Sequence, residues 1–111
     1  MSENAWFSAD YRQARGRFLD AAADVGARVE THENPVPGPN GGPLATDVAF
    51  LGDPQAEAAL LTFSGTHGAE GFCGSGVQVG WLESGLWREV PEGIAQIHVH
   101  GVNPFGFAHL S

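Results

Sequence analysis

Residues 61–76 read LTFSGTHGAEGFCGSG, an apolar run that gives way to five glycines spaced around His67, Glu70 and Cys73. Extending the run upstream gives AEAALLTFS. Its core, ALLTF, is too short for a typical helix, is bounded by turn signals and has no polar face, a pattern that predicts a central strand buried on both sides. Beyond the glycine turn, GSGVQVGWLESGLWREV predicts a helix with Val77, Trp81 and Leu82 turned to the core, although its glycines weaken helix formation. IAQIHVHGV then alternates as a further strand and ends in the turn Asn103-Pro104-Phe105-Gly106. Strand, loop, helix and strand make a βαβ unit, so the two strands should lie parallel with a right-handed crossover.

The first half of the chain frames this unit. Ser8 suits an N-cap, and Tyr11, Ala14, Phe18, Ala22 and Val25 follow at helical spacing, with Gly26 as the residue that ends the helix. Trp6 and Phe7 would act as a hydrophobic staple for that helix. ARVETHENP and TDVAFLG read as two strands, antiparallel across the proline- and glycine-rich loop at 34–43. The expected fold is α/β with a mixed sheet: a single domain over 1–111 with one face left without helices. Such a chain is expected to be the N-terminal portion of a larger three-layer α/β/α domain.

Composition narrows the function classes. The 111 residues carry five arginines, no lysine and a formal net charge of −8. Nothing in that balance could neutralise a run of phosphates, so neither nucleic acid nor an anionic membrane is an expected partner. The N-terminus MSENAWFSAD lacks the basic and apolar regions of a signal peptide, and no apolar stretch approaches the length of a membrane span. One cysteine leaves no internal disulfide, which fits a reducing, cytoplasmic compartment.

Ligands of open α/β sheets bind at the carboxyl ends of the strands, where the glycine turn lies. One reading gives the turn a role in backbone geometry alone; three chemical readings compete with it. Phosphate binding fits poorly, since a Walker loop needs a lysine and no G-x-G-x-x-G is present. A cysteine hydrolase using Cys73 with His67 draws on the nearby helix N-terminus, but Ser75 stands where the last glycine of a nucleophile elbow belongs, and a lone cysteine is more often a small buried hydrophobe. A metal site fits best: His67 and Glu70, at i and i+3, offer one imidazole nitrogen and one carboxylate oxygen, donors that zinc accepts.

The stretch Ser64-Gly65-Thr66-His67-Gly68-Ala69-Glu70-Gly71, with Asn103-Pro104-Phe105-Gly106-Phe107 one strand later, resembles the zinc carboxypeptidase superfamily. Within it the likeness is to a bacterial domain-of-unknown-function family with an FSADY-like opening helix, an SGTHG-x-EGFCGSG turn and an NP-x-GFA turn, and it runs from Phe7 to Ala108. The resemblance implies that His67 and Glu70 are the first two zinc ligands. It also implies that the third ligand, a second histidine, lies past position 111, together with the arginines and asparagine that bind the substrate carboxylate and the glutamate that acts as general base. The implied reaction is hydrolysis of an amide bond next to a free carboxylate, in a peptide or an acylated amino acid, at a zinc-polarised carbonyl. No catalytic residue is expected within the chain, which alone should be inactive because two protein ligands hold a metal weakly.

The remaining residues have plainer readings. His98 and His100 share one strand face and should pack or hydrogen-bond locally, with His100 a candidate supporting group near the zinc-bearing edge. Asn103 should cap its turn and shape the site edge. His32 and His109 are expected in solvent, and Trp81 and Trp87 in packing. The uncovered sheet face predicts self-association or pairing with another chain, which is also the non-enzymatic alternative: a non-catalytic module.

Overall fold

The computed structural model describes residues 6–39, 41–68 and 70–109. Helix α1 (Tyr11–Asp24) is followed by β1 (Arg28–Glu33), β2 (Ala45–Leu51) and β3 (Ala58–Phe63), then α2 (Gly71–Glu83), a 3-10 turn at Leu86–Glu89, β4 (Ile94–His100) and α3 (Pro104–His109). The fold is α/β with a mixed four-stranded sheet in the order β1-β2-β4-β3. The hairpin β1–β2 is antiparallel as expected, β2 pairs antiparallel with β4, and β3 and β4 are parallel across α2.

Helix α1 starts later than Ser8 predicts. Asp10 is the N-cap, its carboxylate accepting the Gln13 N–H at 2.8 Å. Gly26, at φ +75°, follows the C-cap Val25 as expected. Phe7 and Trp6 do not staple α1. They lie on α2, where a Cβ at Gly76 or Gly80 would collide with the Phe7 and Trp6 rings respectively. These α2 glycines thus give the backbone close approach to aromatic rings, which explains why a helix tolerates them.

The core lies between the helices and one sheet face. Phe18, Ala21 and Ala22 of α1 meet Ala49 and Leu51 of β2 and Val79 and Leu82 of α2. A second cluster joins Tyr11 and Ala14 to Leu44 and Phe107 of α3. Leu82 is buried as expected, Trp81 is half-buried, but Val77 points to solvent at 61% exposure.

Strand β3 corrects the sequence reading most sharply. It lies at the sheet edge, not the centre, with Leu61 and Phe63 49% and 58% exposed. An apolar run shows that a strand is suited to burial on two faces; it does not say whether a second layer is there to bury it. Among the described residues, the buried side chains of all three helices meet the same face of the sheet.

Candidate metal centre

The parallel register of β3 and β4 brings two loops out at one edge. Val102 N–H donates to Ser64 O at 2.9 Å and Asn103 N–H to Gly65 O at 2.7 Å, so the loops are stitched to each other as soon as the strands end. Gly65 and Gly101 both adopt positive φ, +69° and +73°, which L side chains resist. A Cβ at Gly65 would lie 2.8 Å from the Phe107 ring, so this glycine is needed for close packing as well as for the turn.

Past Gly65 the chain folds over Glu70. The carboxylate turns back on its own loop: Oε1 accepts the His67 N–H at 2.8 Å and Oε2 the Gly68 N–H at 2.9 Å. The Gly68 N–H foremost, with the N–H groups of Glu70 and His67, holds the carboxyl below the usual carboxylate range although burial opposes this. Glu70 is also the N-cap residue of α2, but its side chain makes no forward capping bond.

The imidazole of His67 stands beside that carboxylate, Nδ1 to Oε1 at 3.1 Å, and the two side chains are 83% and 53% exposed. Zinc bonds of about 2.0–2.2 Å place two ligands of one ion roughly 3.0–3.5 Å apart. The donor types, their separation and their access to solvent therefore fit a shared zinc-sized ion. The pair stands alone: among the described residues no group of three or more His, Cys, Asp or Glu could hold a metal.

Asn103 joins this arrangement and His100 does not. Asn103 Nδ2 donates to His67 O at 3.1 Å, while its Oδ1 accepts the Gly106 N–H at 3.0 Å. The sequence reads Asn103-Pro104-Phe105-Gly106 as a turn; in the structure it opens the short helix α3, with Asn103 capping it. His100 is fully buried behind the loop. Its Nε2 pairs with Ser75 Oγ at 2.8 Å, its ring stacks on Phe18 with centroids 4.7 Å apart, and it makes no hydrogen bond to His67 or Glu70. Phe107 lies between His100 and the loop, packing against both His100 and Gly65.

Sequence reasoning missed a buried polar network on the same strand face. Asp47 is held by Arg15 Nε at 2.8 Å and Thr31 Oγ1 at 2.7 Å. The Trp81 indole N–H, which can only donate, fixes Gln96 Oε1 as acceptor. His98 Nε2 must then donate to that oxygen, leaving Nδ1 to accept from Thr62 Oγ1 at 2.7 Å. Thr62 accepts in turn from Gln78 Nε2. The alternation of polar residues along β4 was the one available signal. Cys73, read as a buried hydrophobe, is instead exposed, and no histidine among the described residues hydrogen-bonds its thiol. His109 is half-buried, stacked on Phe105, whereas His32 is exposed as expected.

Solved structures of similar fold include glutaminyl cyclase from Fimbriiglobus ruber, with a TM-score of 0.56 and 13% identity over 80% of this chain and 36% of that one. Two structures of Porphyromonas gingivalis glutaminyl cyclase match with TM-scores of 0.53 and 0.54 at 16% and 13% identity, covering 86% and 89% of this chain and 45% and 46% of theirs. At such identity the likeness shows a shared fold, and the chain spans less than half the length of these structures. No curated protein sequence matches it. A family model does, over residues 7–111, and the chain accordingly belongs to the family described as protein of unknown function, DUF2817.

Proposed function

We propose that His67 and Glu70 form part of the metal site of a zinc-dependent hydrolase acting on an amide bond next to a free carboxylate, in a peptide or an acylated amino acid. One observation carries this reading: an exposed imidazole and carboxylate 3.1 Å apart, on a loop at the carboxyl edge of a parallel strand pair. Bound zinc would supply a Lewis acid that polarises a substrate carbonyl. The loop keeps Glu70 ionised through backbone N–H groups, so this carboxylate is suited to hold a cation and poorly suited to carry a proton in turnover. Glu70 is therefore assigned as a ligand, and the general base to a residue outside this chain.

The fold likeness favours a second reading, in which the whole protein acts on glutaminyl groups as the structural neighbours' name describes. Both readings place the chemistry at an amide carbonyl and both use the same pair. Calorimetric zinc titration tests the shared element. The parent chain should bind one zinc ion, and His67→Ala and Glu70→Gln should each weaken binding at least about tenfold. Equal binding by all three chains would remove the metal assignment. Release of a C-terminal residue by the whole protein, against cyclisation of an N-terminal glutamine, separates the two reactions.

A further inference from the structure

The loop carrying His67 is not held by its own glycines alone. The second motif grips it from outside, through a side chain that does two jobs. Asn103 Oδ1 accepts the Gly106 N–H and so starts α3, while Nδ2 of the same amide donates to the carbonyl oxygen of His67. Gly106 sits directly on that carbonyl, and a Cβ there would collide with the oxygen. Beneath them Phe107 lies against both Gly65 and Gly71, with a Cβ at Gly71 coming within 3.0 Å of the ring. The short helix is thus docked on the two ends of the segment 65–71, and its cap is tied to the peptide of the candidate ligand.

We propose that Asn103 is a positioning residue for the metal site, its amide fixing the His67 peptide so that imidazole and carboxylate stay in register for one ion. This rests on the assignment of His67 and Glu70 as ligands. The N–H end of that peptide, on Gly68, is already bonded to the Glu70 carboxylate, but its carbonyl end would be free to swing without a partner, because Gly68 offers no side-chain restraint and Thr66 is exposed. A donor bond to the carbonyl oxygen removes that freedom without occupying either metal-facing atom. Groups hydrogen-bonded directly to a ligating imidazole or carboxylate typically change metal affinity by about 10–100-fold when lost, and a bond to the ligand's backbone belongs at the low end of that range.

Asn103→Ser separates the two jobs of the amide. Serine is a good N-cap and can keep the bond to the Gly106 N–H, but it is too short to reach His67 O. The variant should melt within a few degrees of the parent and bind zinc about tenfold more weakly, read by competition with a chromophoric chelator. Parental affinity in a folded Asn103→Ser chain would overturn the proposal and leave the ligand assignment intact. His67→Ala is the control for that assignment: if the parent binds zinc no better than this variant, both readings fall. A measurement on the parent alone guards against a variant that does not fold. During zinc titration, the Asn103 side-chain amide resonances should shift with the same midpoint as those of the His67 imidazole. Resonances that stay fixed while the imidazole responds would also overturn it.

Discussion

On the helix-covered face the strands carry Asp47, Gln96, His98 and His100, all buried, whereas the opposite face carries Val48, Phe50, Leu61, Phe63, Ile97 and Val99, half-buried to exposed. Polar groups tolerate the covered face because hydrogen bonds take the place of water: Asp47 has Arg15 and Thr31, and His98 is bonded at both nitrogens. The open face needs no polar partners, but among the described residues no helix covers its apolar side chains, and the Arg28 guanidinium lies over the Phe50 ring at 4.1 Å. The side chains that stabilise this chain are therefore those of the face richer in polar groups.

Lowering the pH strikes the covered face hardest. Burial holds the His98 and His100 rings neutral, with pKa values lowered from 6.5 to about 4; at His100 the opposed charges of Asp47 and Arg15 modify this. Between those values the unfolded chain binds more protons than the folded one. Stability is thus undiminished above about pH 6.5, falls as the pH drops, and levels out below about 4. A depression of that size corresponds to on the order of 3 kcal/mol for a ring, a large share of the stability of a small domain. Denaturant melts from pH 7 to 4 should show the loss, and His100→Phe should flatten its share. A curve with no slope in that window would mean that water reaches both rings.

Phe18→Ala probes the same face without charge. Phe18 is fully buried, packs in the main core cluster and stacks on His100. Its truncation should cost about 3–5 kcal/mol in chemical denaturation, the range for a large aromatic removed from a packed core. A loss below about 1 kcal/mol would mean that the helices are loosely docked.

How much of this was legible follows from the range of each interaction. The hairpin, the parallel pair and the helix ending at Gly26 depend on turn residues and periodicity, both of which are local in sequence. The edge position of β3 depends on which strands flank it, and a run such as ALLTF looks the same at an edge or in the middle. The pairing of His67 with Glu70 was readable because they lie three positions apart. The tie from Asn103 to the His67 carbonyl spans 36 positions and involves a backbone acceptor that leaves no mark in the sequence. Asp47 and Arg15 are 32 apart, and an aspartate in a strand reads as solvent-facing until its partner is placed.

Gly65→Ala tests whether the candidate site shares the rigidity of the covered face. The position has φ +69°, and a Cβ there would press on Phe107, itself part of the second core cluster. Strain and displacement together should cost about 1–3 kcal/mol in thermal or chemical melts, with the His67 and Glu70 resonances shifting as the loop moves. Unchanged resonances would uncouple the loop from the core beneath it.

The open face should give the smallest change in folding free energy and the clearest change in association. Leu61 and Phe63 sit on the free edge strand, beside Ile97 and Val99, and β3 lacks the charges and prolines that usually protect an edge. Leu61→Lys with Phe63→Lys should alter stability by only about 0.5 kcal/mol per site, since neither side chain is packed in the core. If copies of the chain meet through this face, the parent should show concentration-dependent mass by light scattering and the double variant should stay monomeric. A parent that is monomeric at every concentration tested would exclude self-pairing. A double variant that loses several kcal/mol would show instead that β3 contributes to the core far more than its exposure implies, and the contrast between the two faces would have to be redrawn.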